Sequence, residues 1–158
     1  HMDGKEVIAA DEMIDKIKAA VDSRSDSDFV IMARTDALAV RGITEAIDRG
    51  NRYREAGADI IFVEALTTID EMKQVARSVD APLFASAIEG GKTPLFSVRE
   101  FHDLGFSVVA YGLSALFAAA YSTRMILETL RATGTTKGML GTMTVFDEFN
   151  RLVGLDLT

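Results

Sequence analysis

The stretch Phe29-Val30-Ile31-Met32-Ala33-Arg34-Thr35-Asp36 decides the fold. Five apolar residues run without alternation into an arginine and an aspartate. An uninterrupted apolar run of this kind predicts a strand covered on both faces, as in a parallel sheet. Three further runs repeat the pattern. Ile60-Ile61-Phe62-Val63 ends at Glu64, Pro82-Leu83-Phe84-Ala85 ends at Ser86, and Phe106-Ser107-Val108-Val109-Ala110 ends at Tyr111. Their spacing is that of βα units with short loops.

The segments between these runs read as helices. Met13, Ile14, Ile17, Ala20 and Val21 fall at helical spacing after a cap region at Ala10-Asp11. Thr44 to Ala56 is stopped by Gly57, a suitable C-terminal cap. Thr68-Ile69-Asp70-Glu71 and Ser97-Val98-Arg99-Glu100 are both capping boxes, opening helices to Val79 and to Leu104. Ser114 to Ala132 is a long helix ended by Gly134, and Asp147 to Leu152 is a short terminal one. Glu55-Ala56-Gly57-Ala58-Asp59 and His102-Asp103-Leu104-Gly105-Phe106 each leave a helix through glycine and enter a strand. That weak repetition is what a (β/α) barrel produces. Four strands do not close such a barrel, which needs eight. They could equally form an open doubly wound sheet, and spacing alone does not choose.

Composition narrows the function classes. The chain has 158 residues, a net charge of -7 and no cysteine. One domain is the prior at this length. A disulfide scaffold, a cysteine-based zinc site and a cysteine nucleophile are excluded, and the composition fits a cytoplasmic protein. The longest apolar stretch, Leu113 to Tyr121, is interrupted by Ser114 and falls well short of the ~20 residues of a membrane span. There is no basic patch for a nucleic acid. The methionines read as core filler, His102 as a surface residue, and Asp22, Asp26 and Asp28 as a solvated loop.

In parallel α/β folds, function sits at the carboxyl ends of strands. The residues there are Arg34, Thr35 and Asp36, then Glu64, then Ser86 with Glu89, then Tyr111 with Ser114. An arginine at a strand end can bind a carboxylate through two parallel hydrogen bonds. A structural ion pair, Arg34–Glu64 or Arg34–Asp36, explains the same residues equally well. The loop Ile88-Glu89-Gly90-Gly91-Lys92-Thr93-Pro94 lacks the spacing of a phosphate-binding P-loop. Paired glycines let backbone approach a ligand, and a plain surface turn is the simpler account.

Together these motifs resemble the isocitrate lyase/phosphoenolpyruvate mutase superfamily. Phe29 to Ala37 is similar to its strand-five signature and Glu55 to Glu64 to strand six. The Glu89-Gly90-Gly91-Lys92-Thr93-Pro94 loop is similar to strand seven with its loop, and Tyr111-Gly112-Leu113-Ser114-Ala115 to the strand-eight turn. The resemblance implies a fold class: α/β, the second half (strands five to eight) of a (β/α)8 TIM barrel with C-terminal helices. It implies one segment, 1–158, without the N-terminal half that carries the metal site and the catalytic loop. The family's Mg²⁺ ligands and acid/base cysteine would then lie upstream of residue 1. His1-Met2 read either as a cloning remnant or, if native, with His1 as the histidine of that loop.

Carried across residue by residue, the resemblance gives Arg34, Glu64, Ser86 and Glu89 as substrate-binding positions, with Arg34 holding a carboxylate. Methylisocitrate lyases have arginines where this chain has Phe117 and Phe146. A tricarboxylate would be left with unpaired charge, so a smaller substrate is expected. The glycine loop and the segment from Phe146 to Val153 resemble the petal-death-protein-like branch of oxaloacetate and 2-alkylmalate lyases and of proteins named carboxyphosphonate mutases. The resemblance therefore implies a Mg²⁺-dependent C–C lyase acting on small 2-hydroxy or 2-oxo dicarboxylates, with this chain an incomplete and inactive portion. The alternatives are a C–P bond phosphomutase and a non-catalytic half-barrel assembly unit. Exposed sheet edges imply a homo-oligomer or pairing with the missing half.

Overall fold

The structure is a computed structural model and describes residues 4–155. It is α/β, and it divides into two compact units that meet in sequence at Leu113 and Ser114.

The first unit runs α1 (Ala10–Ser23), β1 (Met32–Thr35), α2 (Ala37–Arg41), α3 (Ile43–Glu55), β2 (Ile60–Val63), α4 (Ile69–Ser78), β3 (Phe84–Ser86), α5 (Val98–Asp103) and β4 (Val108–Ala110). Strand β1 pairs in parallel with β2, and β3 with β4. An isolated parallel bridge between Ile61 and Leu83 joins the two pairs, and the Ile61 N–H donates to the Pro82 carbonyl at 2.9 Å. Spatial order therefore follows chain order. A doubly wound sheet reverses direction at a switch point, and this one never does. Right-handed crossovers, the rule for parallel neighbours, put the connecting helices of this unit on one face.

Burial agrees with that one-sided cover. Ala33, Ile61, Val63, Leu83 and Ala85 alternate along their strands and join one core with Ile17, Ala46, Tyr53, Met72, Val75 and Phe101 from the helices. The opposite face carries Met32, Phe62, Phe84 and Val108. Met32 is 45% exposed and Val108 is also exposed. Cover on both faces, expected from the apolar runs, is thus corrected for β1, which alternates between exposed and buried. Met32 is likewise not core filler, whereas Met72 is. Strand β1 starts three residues later than its apolar run, with Phe29 and Val30 left exposed.

Local chemistry explains the helix ends. Both capping boxes form, Thr68 with Glu71 and Ser97 with Glu100. Helices α3 and α5 end in the same way. Gly57 N–H donates to Arg54 O and Ala58 N–H to Tyr53 O; Gly105 N–H donates to His102 O and Phe106 N–H to Phe101 O. These are Schellman pairs, which need a left-handed residue, and Gly57 and Gly105 have φ of 107° and 99°. A Cβ on Gly105 would lie 2.8 Å from the Ala76 Cβ. Gly105→Ala is therefore expected to cost about 2 kcal/mol or more in chemical denaturation. Gly90→Ala, at φ 71° in open space, should cost only about 1 kcal/mol.

The second unit comprises α6 (Ser114–Thr133), a 3-10 turn (Lys137–Thr142) and α7 (Phe146–Leu152). No residue of α6 is buried, and Leu116, Phe117, Tyr121, Leu127 and Leu130 are exposed. The short helix α2 and the 3-10 turn had no clear sequence signal. No helix among the described residues is long and apolar enough to cross a membrane.

Candidate functional site at the strand ends

Parallel pairing brings the carboxyl ends of β1 and β2 side by side. The Glu64 N–H donates to the Thr35 carbonyl at 3.0 Å, which fixes Glu64 beside the Arg34-Thr35-Asp36 tip. Ala65, the next residue, has a φ of 68°. A left-handed alanine costs about 1–2 kcal/mol, so this turn is held by its surroundings.

Arg34 leaves β1 on the open face of the sheet. Its guanidinium lies 5.2 Å from the Phe62 ring centre, and Phe62 packs edge-on against Phe84 at 4.8 Å. Arg34 lies over the Phe62 ring, and Phe62 is buried on a face whose Met32 and Val108 are exposed. The main partner of Arg34 is Asp36. Nε donates to Oδ2 at 2.8 Å and Nη2 to Oδ1 at 3.1 Å. Glu64 is a looser ion-pair partner, with Nη2 to Oε2 at 3.5 Å. The hydrogen bond from Arg34, together with one from Lys5, holds the Asp36 carboxyl below the usual carboxylate range. The same Asp36 bond raises the Arg34 guanidinium.

Lys5 is a partner that spacing could not reveal. It lies 31 positions before Asp36, and its Nζ donates to Asp36 Oδ1 at 2.5 Å. Arg49 is a second. It is 3% exposed, and it donates to the Ile8 carbonyl at 2.8 Å and to Glu45 Oε1 at 2.8 Å. Lys5, Val7, Ile8, Arg34, Asp36 and Arg49 line one cavity of about 280 Å³.

The remaining expected residues are distributed as follows. Glu64 and Ser86 share a crevice of only about 10 Å³ with Thr93. Glu89 is part-buried in the turn after β3. Tyr111 donates its hydroxyl to the Phe96 carbonyl at 2.5 Å, tying the glycine loop's exit to the end of β4. His1 lies outside the described residues. Among the described residues no group of three or more His, Cys, Asp or Glu side chains could hold a metal ion. The described residues therefore do not form a Mg²⁺ site.

A family model described as phosphoenolpyruvate phosphomutase matches residues 1–131. The chain belongs to this family. Among relatives, 2,3-dimethylmalate lyase of Eubacterium barkeri is 43% identical over 99% of the chain and 54% of its own length. The petal death protein of Dianthus caryophyllus is 46% identical over 99% of the chain and 49% of its own length. The phosphomutase-family fold is matched by a crystal structure of 2,3-dimethylmalate lyase, a member of the PEP mutase/isocitrate lyase superfamily. That match has a TM-score of 0.87 at 34% identity and covers 97% of this chain and 54% of the other. Phosphonopyruvate hydrolase in complex with oxalate and Mg²⁺ matches with a TM-score of 0.84 at 31% identity, covering 97% and 55%. The chain thus spans about half the length of the curated relatives it matches.

Proposed function

We propose that this chain supplies strands five to eight of a (β/α)8 barrel whose active site cleaves a C–C bond in a small 2-hydroxy or 2-oxo dicarboxylate. One observation carries the reading. A guanidinium stands at a strand's carboxyl end, held by Asp36 with Glu64 beside it, and Arg34 is among the residues that line a cavity of about 280 Å³. Among the described residues none accepts from its Nη1, which leaves a donor for a substrate carboxylate. In a site closed from water, such a contact both orients the substrate and neutralises charge. Glu64 flanks Arg34, Ser86 offers a hydroxyl, and Glu89 closes the loop side. On this reading the metal ligands belong to the other half of the barrel.

The open sheet face fits the same proposal. Met32, Phe84 and Val108 line it, and the interior of a completed barrel would cover them. Light scattering on the isolated chain should show self-association at micromolar concentration; a clean monomer would count against an uncovered face.

Dicarboxylate cleavage is favoured by the 43% identity to 2,3-dimethylmalate lyase. The second reading is a C–P phosphomutase, favoured by the description of the family model. A barrel-length protein containing this chain separates them. Cleavage of oxaloacetate or 2,3-dimethylmalate, followed by product release, is the expected outcome. Conversion of phosphonopyruvate seen by ³¹P NMR, without cleavage of either dicarboxylate, would overturn it.

A further inference from the structure

Asp36 stands at the N-cap of α2, the position where an aspartate usually accepts from its own helix's N–H groups. Its side chain makes no such bond, and the Ala37 N–H turns to Thr35 Oγ1 instead. The carboxylate is given over to two cations, Arg34 through both oxygens and Lys5 through Oδ1. Lys5 and Arg34 line the same cavity without pairing with each other. Like charges so placed repel, and Asp36 is the charge that keeps them together.

Lys5 belongs to a leading segment that is fastened twice. Its own ammonium holds Asp36, and three residues on, the Ile8 carbonyl accepts from buried Arg49. Between these anchors Glu6 and Val7 cross the cavity wall. We propose that Asp36 is a positioning residue that couples docking of segment 5–8 to the orientation of Arg34. With the segment in place, Lys5 fixes one Asp36 oxygen, and the carboxylate then grips the Nε–Nη2 edge of Arg34 and leaves Nη1 for a ligand. Without Lys5 the carboxylate swings, and the arginine loses its aim. The functional consequence rests on the proposed role of Arg34 as a carboxylate receptor; the coupling itself does not.

The test follows the Arg34 Nε–H by NMR in the ¹⁵N-labelled chain. Lys5→Met is expected to speed exchange of that proton roughly threefold, the scale of a part-exposed ion pair. Lys5→Arg should restore it. Asp36→Asn should speed it by about tenfold, since it removes a charge-assisted pair, and Lys5→Met should add nothing in that background. An exchange rate untouched by Lys5→Met, or raised equally with and without the Asp36 charge, would overturn the coupling. Should Asp36→Asn fail to fold by circular dichroism, the Lys5→Met and Lys5→Arg pair decides alone. Oxalate then separates the two ideas. If oxalate leaves the wild-type Nε–H resonance unmoved, Arg34 is not a carboxylate receptor, while the ligand-free exchange rates still decide the coupling. If oxalate shifts the resonance and Lys5 has no influence on exchange, the coupling fails and the receptor role stands.

Discussion

Replacing Arg34 by alanine in a barrel-length protein built on this chain is expected to lower kcat/KM toward a small dicarboxylate by roughly a thousandfold, the scale of one well-placed charge-stabilising donor. Stability should change little. The Arg34 side chain is 50% exposed, and ion pairs that reach solvent contribute on the order of 1 kcal/mol or less. Arg34→Lys keeps the charge and loses the planar fork, so it should recover only part of the rate. If urea unfolding showed a loss of stability that accounted for the loss of activity, the Arg34–Asp36 pair would be a structural brace. A large kinetic loss with an unchanged unfolding midpoint is the expected result.

Phe101→Ala is expected to cost about 3–5 kcal/mol. Phe101 is 1% exposed and packs edge-on against Phe96 at 5.6 Å and Phe106 at 6.1 Å. The cluster fastens α5 to the segment that leads into β4. Its carbonyl also accepts the Phe106 N–H of the helix-ending pair, so side-chain packing and backbone geometry depend on the same turn. Against the ~5–15 kcal/mol of a typical domain, the loss would bring the chain close to unfolding. Val98→Ala, on the exposed side of α5, should change stability by less than about 0.5 kcal/mol. Urea midpoints for the two variants check both values.

The fold was legible where chemistry is local. Capping boxes at Thr68 and Ser97, and glycines at 57 and 105, mark helix ends by hydrogen bonds that span only a few residues. Strand β2 falls where its apolar run does, because both its faces find cover from neighbours. Strand β1 departs from its apolar pattern, since that pattern does not tell whether a second layer is present to cover the strand. Arg34 and Glu64 were recognisable as a pair because each ends an apolar run, and parallel pairing brings such ends together. The hold of Lys5 on Asp36 and of Arg49 on the Ile8 carbonyl was not recognisable. Both contacts span more than thirty residues and follow from how the leading segment lies along the sheet's end, which no periodicity encodes.

The most direct test of the half-site account is turnover, with Mg²⁺ present, by two samples of verified mass. One is this chain alone; the other is this chain fused behind the first half of 2,3-dimethylmalate lyase. The account predicts no cleavage of oxaloacetate or 2,3-dimethylmalate by the chain alone, and cleavage by the fusion that disappears with Arg34→Ala. Robust turnover by the chain alone, or undiminished turnover by the Arg34→Ala fusion, would contradict it.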